Sequence, residues 1–209
     1  MNDRANDRVY DRRAESVLLT GVYGSGKSSV AAEIAYLLEQ QGEPYALLDL
    51  DYLSWAGLGT EDRATEVELM SQNLAAVTTN YRRAGIGLFV LAYLVRSAAE
   101  VQTIRAALNL PLKIVRLTVP LDAIEQRLAG DVTSGRRDDL REAAASLASN
   151  EGVGLEDVTI ANDRPISVVA REGSRSSAAA RIARSACWDR GRPRPCAAGI
   201  SGFIVWFYL

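Results

Sequence analysis

A glycine-rich octapeptide at residues 21–28, GVYGSGKS, constrains this chain more than any other feature, because it has the pattern G-x-x-x-x-G-K-S. It lies between an apolar run, SVLLT at residues 16–20, and a segment whose apolar residues recur at helical spacing. In that context the glycines let backbone N–H groups converge on one anion, which the helix N-terminus also attracts. The octapeptide therefore predicts a triphosphate site, in preference to a ligand-free turn. The residues expected at the nucleotide are Gly21, Val22, Tyr23, Gly24, Ser25, Gly26, Lys27, Ser28 and Ser29.

Within the octapeptide, two side chains have predicted roles. Lys27 is expected to bridge the β- and γ-phosphates and so to contribute to catalysis, and Ser28 offers a hydroxyl to Mg²⁺. Both roles use residue types that bind phosphate or a hard cation. The sequence therefore predicts ATP and Mg²⁺ as cofactors, with GTP open as a second nucleotide.

The composition excludes several other chemistries. The 209 residues include no histidine, so a Ser-His-Asp triad, a Cys-His dyad and a His-rich zinc site are impossible. The 24 basic and 26 acidic residues give a net charge of -2, which disfavours nucleic acid as a partner. Only Cys187 and Cys196 occur, both near the C-terminus, which fits a cytoplasmic protein without a disulfide framework. No run approaches the roughly 20 apolar residues of a membrane span.

Short apolar runs alternate with helical patterns along the chain. Strands are predicted at residues 16–20, 45–50, 87–94, 112–119 and 158–161. Helices are predicted between them, one opened by a capping-box pattern of Ser97 and Glu100 and the last opened by Pro165. This order predicts an α/β fold with a five-stranded, mainly parallel sheet and helices on both faces. Ligands of such sheets bind beyond the carboxyl ends of the strands.

Four segments together resemble the P-loop kinases of small molecules. They are the octapeptide, Asp49-Leu50-Asp51 at the end of the second strand, an arginine-bearing segment at residues 127–138, and NDRP at residues 162–165. The group includes shikimate, gluconate and adenylylsulfate kinases, chloramphenicol phosphotransferase and nucleoside monophosphate kinases. The resemblance spans residues 16–170. It implies a P-loop NTPase three-layer sandwich with strand order 2-3-1-4-5, an acceptor-binding helical region at residues 52–84 and a lid at residues 128–140.

The resemblance also implies residue roles. Asp51 would bind the acceptor and take its hydroxyl proton, and Asp49 would hold Mg²⁺ through water, because the third strand lacks the acidic residue that many P-loop ATPases and GTPases use. Of the two carboxylates, only one is expected to face the γ-phosphate directly. Arg136 or Arg137 would stabilise charge on the transferred group, and Arg127 would reach the nucleotide. The alternatives are two solvated carboxylates and a charged loop between helices.

Further candidates lie at the same edge of the predicted sheet. Arg96 follows the third strand and is expected either to hold an acceptor anion or to be a solvated loop arginine. Tyr52 and Trp55 follow the acidic pair, where they either pack on an acceptor or belong to the core or rim. By the resemblance, residues 162–165 flank the adenine, unless they form a simple strand-to-helix turn. The nucleotide-binding candidates in that loop are Asn162, Arg164 and Pro165.

The two ends of the chain differ from its centre. Residues 1–15 mix acidic and basic residues without an apolar core, which predicts a disordered leader. Residues 171–209 are rich in arginine and contain both cysteines, so we interpret them as a tail produced by a frameshift in a GC-rich gene. The alternative is a basic arm that docks on a partner or a membrane surface.

Taken together, the sequence predicts an ATP- and Mg²⁺-dependent phosphotransferase that moves the γ-phosphate to a hydroxyl or phosphate of a small molecule. Two other interpretations remain open: a nucleotide-binding module that hydrolyses slowly and acts through a partner, and a catalytically impaired kinase relative. A 5′-kinase for nucleic acid ends is disfavoured by the acidic balance outside the tail. The acceptor and the oligomeric state stay open at this point.

Overall fold

The computed structural model describes residues 14–56, 62–128 and 134–176. Within these ranges, five strands alternate with helices. The strands are β1 (Glu15–Thr20), β2 (Tyr45–Asp49), β3 (Leu88–Ala92), β4 (Leu112–Thr118) and β5 (Val158–Ala161). The helices are α1 (Lys27–Gln40), α2 (Asp51–Ser54), α3 (Arg63–Arg83), α4 (Ala98–Leu108), α5 (Leu121–Leu128), α6 (Ser134–Ala148) and α7 (Ile166–Ser176).

All five strands run parallel in the order β2-β3-β1-β4-β5. The central strand β1 pairs on both sides, so that Leu18 lies opposite Leu91 of β3 and Ile114 of β4. The predicted α/β fold and the strand order 2-3-1-4-5 are therefore confirmed. The parallel arrangement brings the carboxyl ends of all five strands to one edge, where ligands of such sheets bind.

Helices cover both faces of the sheet because its central strands are apolar on both sides. Val17 and Leu19 of β1 face α1 and α7, whereas Leu18 between them faces α3 and α4. The first face packs on Val30, Ile34, Leu38 and Val169, and the second on Met70, Leu74 and Ile104. The result is a three-layer sandwich with an apolar core on each side of the sheet.

Helix α6 was not predicted, and the hydrogen bond of the Glu100 carboxylate at the start of α4 differs from the predicted one. The polar segment expected as a lid at residues 128–140 leads into the 15-residue helix Ser134–Ala148. This helix buries Ala143 and Ser146, and its Leu140 and Leu147 pack against the core cluster that contains Ile124. Ser97 does cap α4 by accepting from the backbone N–H of Glu100. The Glu100 carboxylate, however, accepts from the backbone N–H of Arg96 at 2.8 Å rather than completing a capping box.

The predicted ends of the chain lie largely outside the described ranges. Residues 1–13 of the leader predicted at residues 1–15 and the tail beyond residue 176 belong to this part, so the frameshift and the basic arm both stay predictions. Glu15, at the end of the predicted leader, begins β1. Helix α7 follows Pro165 directly and continues past residue 170, with Gly173 and Ser174 buried. Of the helices that are described, none combines the length and apolarity needed to cross a bilayer.

Candidate active site

The turn between β1 and α1 is shaped by two glycines. Gly26 precedes α1 in the left-handed conformation at φ 90°, and a Cβ there would lie 2.5 Å from Nδ2 of Asn162. Gly21 has φ 144°, and a Cβ there would lie 2.6 Å from the carbonyl oxygen of Leu117. Both positions therefore require glycine. Because Gly26 has no side chain to cap α1, the first-turn N–H groups stay available to an anion.

Lys27 is the first residue of α1 and lies across this turn. Its side chain is buried, with 7% of the residue exposed, and its Nζ donates to the carbonyl oxygen of Val22 at 3.3 Å. The ammonium group also lies 5.1 Å from the ring centroid of Tyr23. A buried cation pays a desolvation cost that an anionic ligand offsets. Lys27 is thus positioned to interact strongly with a phosphate bound in the turn.

The Ser28 hydroxyl contacts the carboxyl end of β2. Its Oγ donates to Oδ2 of Asp49 at 2.7 Å, and Oδ1 of Asp49 accepts from the backbone N–H of Asp51 at 3.3 Å. A hydroxyl beside a carboxylate supplies the hard oxygen atoms that Mg²⁺ prefers, and Mg²⁺ takes few protein ligands besides phosphates and water. Ser28 and Asp49 therefore fit the predicted metal. No larger cluster of metal-binding side chains occurs in the described ranges.

Asp51 lies close to Asp49, because β2 stops at Asp49 and α2 begins at Asp51, after a single turning residue. Side chains two residues apart in a strand face the same side, so strand geometry gives no reason to expect only one of the two carboxylates at the γ-phosphate. Burial, and then the neighbouring Asp49 carboxylate, raise the pKa of Asp51 from 3.8 to about 6, against the opposing effect of Lys27. Such a carboxyl is still ionised at neutral pH and is more basic than usual, which suits a general base.

Asn162 and Arg127 brace the turn from the neighbouring strand ends. Nδ2 of Asn162, a residue only 4% exposed, donates to the carbonyl oxygen of Ser25 at 2.7 Å. Arg127 donates to the carbonyl oxygens of Gly24 at 3.2 Å and Asn162 at 2.8 Å. With these carbonyls held by side-chain donors, the amide N–H groups of the turn can bind an anion, except that of Ser25, which donates to the carbonyl oxygen of Val22 at 3.1 Å. Two predicted nucleotide ligands are therefore seen supporting the phosphate turn itself.

Asn162→Ala is expected to destabilise the fold by about 1–3 kcal/mol, because the buried Ser25 carbonyl loses its donor. Affinity for MgATP is expected to fall with it, since the turn loses a support. Thermal unfolding and MgATP titration measure the two effects. Asn80→Ala, on the exposed side of α3, is the matched control. Equal melting temperatures and equal MgATP affinities for the two variants would show that Asn162 does not support the turn.

A cleft of about 430 Å³ adjoins the braced turn. It lies beyond the ends of β4 and β5, and its walls are Val119, Pro120, Asp122, Ala123, Gln126, Arg127, Asn162 and Asp163. Arg164 and Pro165 do not line it. Arg164 instead pairs with Glu172 of α7 at 2.7 Å and with Asp163 at 3.5 Å. This part of the predicted nucleotide loop therefore stabilises the start of α7.

Arg96 follows β3 at the expected edge of the sheet, but its guanidinium is bound by carboxylates. It pairs with Glu142 of α6, and its Nη1 lies 3.6 Å from Oε1 of Glu151. Arg96 is therefore not a solvated loop arginine. Its Nε is buried without a hydrogen-bond partner in the described part of the structure, so its role at an acceptor anion stays a prediction. Arg96 connects the end of β3 to helix α6.

A second arginine near Asp51 was not predicted. Arg63, at the start of α3, donates through Nε to Oε1 of Glu100 at 3.1 Å and lies 5.3 Å from the ring centroid of Tyr93. Burial raises the pKa of Tyr93 to about 12, so this phenol stays protonated. In the sequence, the start of α3 is indicated only by Asp62, its N-cap residue. An N-cap residue does not indicate that the following arginine pairs with Glu100, 37 positions away.

Two exposed aromatic residues follow Asp51: Tyr52 on helix α2 and Trp55 directly after its end. Their exposed fractions are 60% and 77%, and the rings stack at a centroid distance of 5.4 Å. They therefore do not belong to the core. Arg136 and Arg137 fall near the start of α6, and their side chains lie outside the described part of the chain.

Comparisons with known proteins agree with this fold. The gluconokinase from Sinorhizobium meliloti 1021 is 22% identical with a TM-score of 0.53, over 84% of this chain and 95% of that one. A sugar kinase from Janibacter sp. HTCC2649 is 16% identical with a TM-score of 0.60, over 82% and 97%. The APS kinase of Mycobacterium tuberculosis, solved with AMPPNP and APS, is 23% identical with a TM-score of 0.51, over 82% and 98%.

These structural likenesses concern the fold, and no curated protein matches the chain. The family model of adenylylsulphate kinase matches residues 13–138, a stretch that includes the phosphate turn, the β2 carboxylates and the start of α6. That stretch is more than half of the 209 residues. The chain therefore belongs to the adenylylsulphate kinase family of P-loop small-molecule kinases.

Proposed function

We propose that this protein transfers the γ-phosphate of MgATP to a hydroxyl group of a small molecule. The observation that carries the proposal is the grouping at the end of β2. There the Ser28–Asp49 hydrogen bond and the basic carboxyl of Asp51 lie beside Lys27 of the phosphate turn. A turn that only bound a nucleotide would not require a second, more basic carboxylate at this point.

In the proposed reaction, the backbone N–H groups of the turn and Lys27 bind the β- and γ-phosphates. Ser28 and Asp49 would hold Mg²⁺, which supplies charge neutralisation on the phosphates when bound. Asp51 orients the acceptor hydroxyl and accepts its proton as the oxygen forms a bond to the γ-phosphorus. The bond from that phosphorus to the bridging oxygen breaks, and Lys27 stabilises the charge left on ADP. We assign the same stabilising role to Arg136 or Arg137.

The cleft beside the turn is proposed to take the nucleoside end of ATP. Arg127 and Asn162 both line the cleft and contact carbonyls of the turn, so one ligand reaching from cleft to turn would contact both. The polar wall residues Gln126 and Asp163 can hydrogen-bond to a base. Because a carboxylate accepts from the N–H groups of guanine as readily as from an amino group of adenine, MgGTP belongs in the same test.

Thermal unfolding with and without nucleotide tests this proposal. A ligand at about 100 times its dissociation constant adds roughly 2.7 kcal/mol, which for a chain of this length raises the melting temperature by about 5–10 °C. We expect that rise with MgATP, and a smaller one with ATP and a chelator. A folded protein that shows no rise with MgATP or MgGTP at millimolar concentration contradicts the proposal. Adenylylsulfate, from which the family takes its name, is the first acceptor to assay once binding is seen.

A further inference from the structure

Building on the proposed phosphotransferase activity, we propose that Glu100 is a positioning residue of the acceptor site. Its carboxylate holds the side chain of Arg63 and the backbone of Arg96, so that one donor of each guanidinium stays available to an anionic group of the acceptor. Three observations support this assignment: the carboxylate oxygens of Glu100 are divided between two elements, each arginine has a buried donor without a partner, and both arginines lie near Asp51.

Glu100 contacts two different elements with its two carboxylate oxygens. Oε1 accepts from Nε of Arg63, at the start of α3, at 3.1 Å, and Oε2 accepts from the backbone N–H of Arg96, beyond β3, at 2.8 Å. The residue is only 8% exposed. A carboxylate can instead bind one guanidinium through two parallel hydrogen bonds, which occupies both of its oxygens. Because Glu100 does not do so, the Arg63 guanidinium keeps a donor that this carboxylate leaves unused.

Each of the two arginines has a buried donor without a partner. Among the residues that the structure describes, no atom accepts a hydrogen bond from Nη2 of Arg63 or from Nε of Arg96. Such donors are unfavourable for a fold, and native structures keep few of them. The carboxylates near the two groups contact their other nitrogen atoms, so an anion that binds the unused donors displaces none of them. The side chains are 37% and 29% exposed, which lets a ligand approach from solvent.

Both arginines lie around the same buried phenol as the proposed base. The ring centroid of Tyr93 is 5.3 Å from Cζ of Arg63, and the charges that act on the pKa of Tyr93 are those of Arg63, Glu100, Asp51 and Arg96. An acceptor whose anionic group binds the arginines therefore lies beside Asp51. Since Asp51 and the bound triphosphate repel an anion, such an acceptor needs cations that are fixed in place.

Glu100 contributes by fixing those cations before the acceptor arrives. An arginine side chain has several rotatable bonds, and the Arg63 side chain would have many positions open to it without its buried partner. The second contact of Glu100 fixes the backbone from which the Arg96 side chain extends. Donors that are already ordered bind a ligand more tightly, because less conformational entropy is lost on binding.

Positioning and charge predict opposite effects of Glu100→Gln. If Glu100 acted only as a nearby negative charge, its neutralisation would strengthen the binding of an anion. If Glu100 positions the arginines, the variant weakens anion binding, because the amide group of Gln presents a donor to one of the two N–H groups and that contact is lost. Glu66→Gln is the matched control. Its carboxylate lies 3.7 Å from Nη1 of Arg63 but belongs to the same helix, so it does not join two elements.

Inorganic sulfate is the probe, since it carries the charge without the rest of an acceptor. The full chain is first saturated with MgAMPPNP, which occupies the phosphate turn, and the sulfate affinity is obtained from the melting temperature at increasing sulfate concentration. Because sulfate stabilises folded proteins in general, each variant is compared with the wild type. We expect Glu100→Gln and Arg63→Lys each to weaken sulfate binding by about three- to tenfold, and Glu66→Gln not to weaken it.

The double variant separates positioning from a general loss of structure. If Glu100 acts through Arg63, adding Glu100→Gln to Arg63→Lys weakens sulfate binding by less than about twofold further, and MgAMPPNP affinity stays equal in all variants. Sulfate binding that is unchanged or tighter in Glu100→Gln overturns the proposal, and so do fully additive effects. If Glu100→Gln does not fold, Arg63→Lys decides, and a sulfate affinity equal to that of the wild type overturns the proposal.

The nucleotide step distinguishes this proposal from the proposed function. If MgAMPPNP stabilises the protein and sulfate binds Glu100→Gln as tightly as the wild type, the role of Glu100 is wrong while phosphate transfer stands. If MgAMPPNP does not stabilise a folded wild type, the proposed function fails, and the role of Glu100 fails with it.

Discussion

Lys27→Ala lowers the rate of phosphate transfer by about 100- to 1,000-fold, the range seen when one preorganised donor to a developing charge is removed. The effect is large because the ammonium group is buried at the turn, where its interaction with phosphate is screened less than in water. MgATP affinity falls as well, since the β- and γ-phosphates lose the same cation. The measurement is the rate of γ-phosphate transfer at saturating MgATP, together with a nucleotide titration.

Lys113→Ala is the matched control for this variant, because Lys113 is the only other lysine of the sequence. Lys113 lies on β4, away from the turn, and its Nζ is 3.7 Å from Oδ1 of Asp157. Lys113→Ala therefore removes the same charge without touching the proposed site. If Lys27→Ala and Lys113→Ala transfer phosphate at similar rates, the turn does not bind the reacting phosphates.

Asp51→Asn is expected to have opposite effects on activity and stability. Transfer falls by about 100- to 10,000-fold, because the amide cannot accept the acceptor proton. The wild-type rate should decline as the pH drops through about 6, where Asp51 becomes protonated, and the variant should lack that acidic limb. The measurement is a pH–rate profile of both proteins. Glu39→Gln is the control, and its rate should fall at acidic pH as the wild-type rate does.

The stability effect follows from the direction of the pKa shift. The pKa of Asp51 is raised from 3.8 to about 6 by folding, so the folded state favours the protonated carboxyl. That contribution is fully present below pH 3.8 and is lost as the pH rises through about 6. At neutral pH the Asn variant should therefore be more stable than the wild type by about 1–3 kcal/mol, and the difference should vanish in acid.

Two outcomes contradict this account of Asp51. A variant that keeps most of the transfer rate and the acidic limb assigns the proton transfer to another group. A variant that is less stable than the wild type at neutral pH shows that the ionised carboxyl is favourably held in the fold. Activity lost together with stability gained is the pattern expected when a site keeps a buried charge for its chemistry.

The fold was predictable because its signals are local. The apolar runs that form β1 and β3, with the octapeptide between strand and helix, specify strands buried on both faces. Helix α6 gave a weaker signal, since the face it packs on the core has only Leu140 and Leu147 beside the small residues Ala143 and Ser146. The order of the strands came from the family resemblance, and the hydrogen-bonded pairs confirm it.

The site was predictable only where its residues are close in sequence. The turn and the β2 carboxylates stand out as motifs, whereas the contact of Asn162 with Ser25 joins residues 137 positions apart. The pairing of Arg96 with Glu142 spans 46 positions, and nothing local marks either partner. The placement of Asp51 relative to Asp49 also depends on the end of β2 at Asp49, and strand ends are set by tertiary packing.

The fate of the γ-phosphate, followed by phosphorus NMR, tests the central claim most directly. The full chain is incubated with MgATP, with and without a panel of neutral, cationic and anionic alcohols, beside Lys27→Ala and Lys113→Ala. We predict that an alcohol accelerates ATP consumption, that ADP and phosphate ester appear in equal amounts, and that Lys27→Ala abolishes both products. ATP consumption that yields inorganic phosphate at the same rate whether or not an alcohol is present would contradict the account and identify a hydrolase.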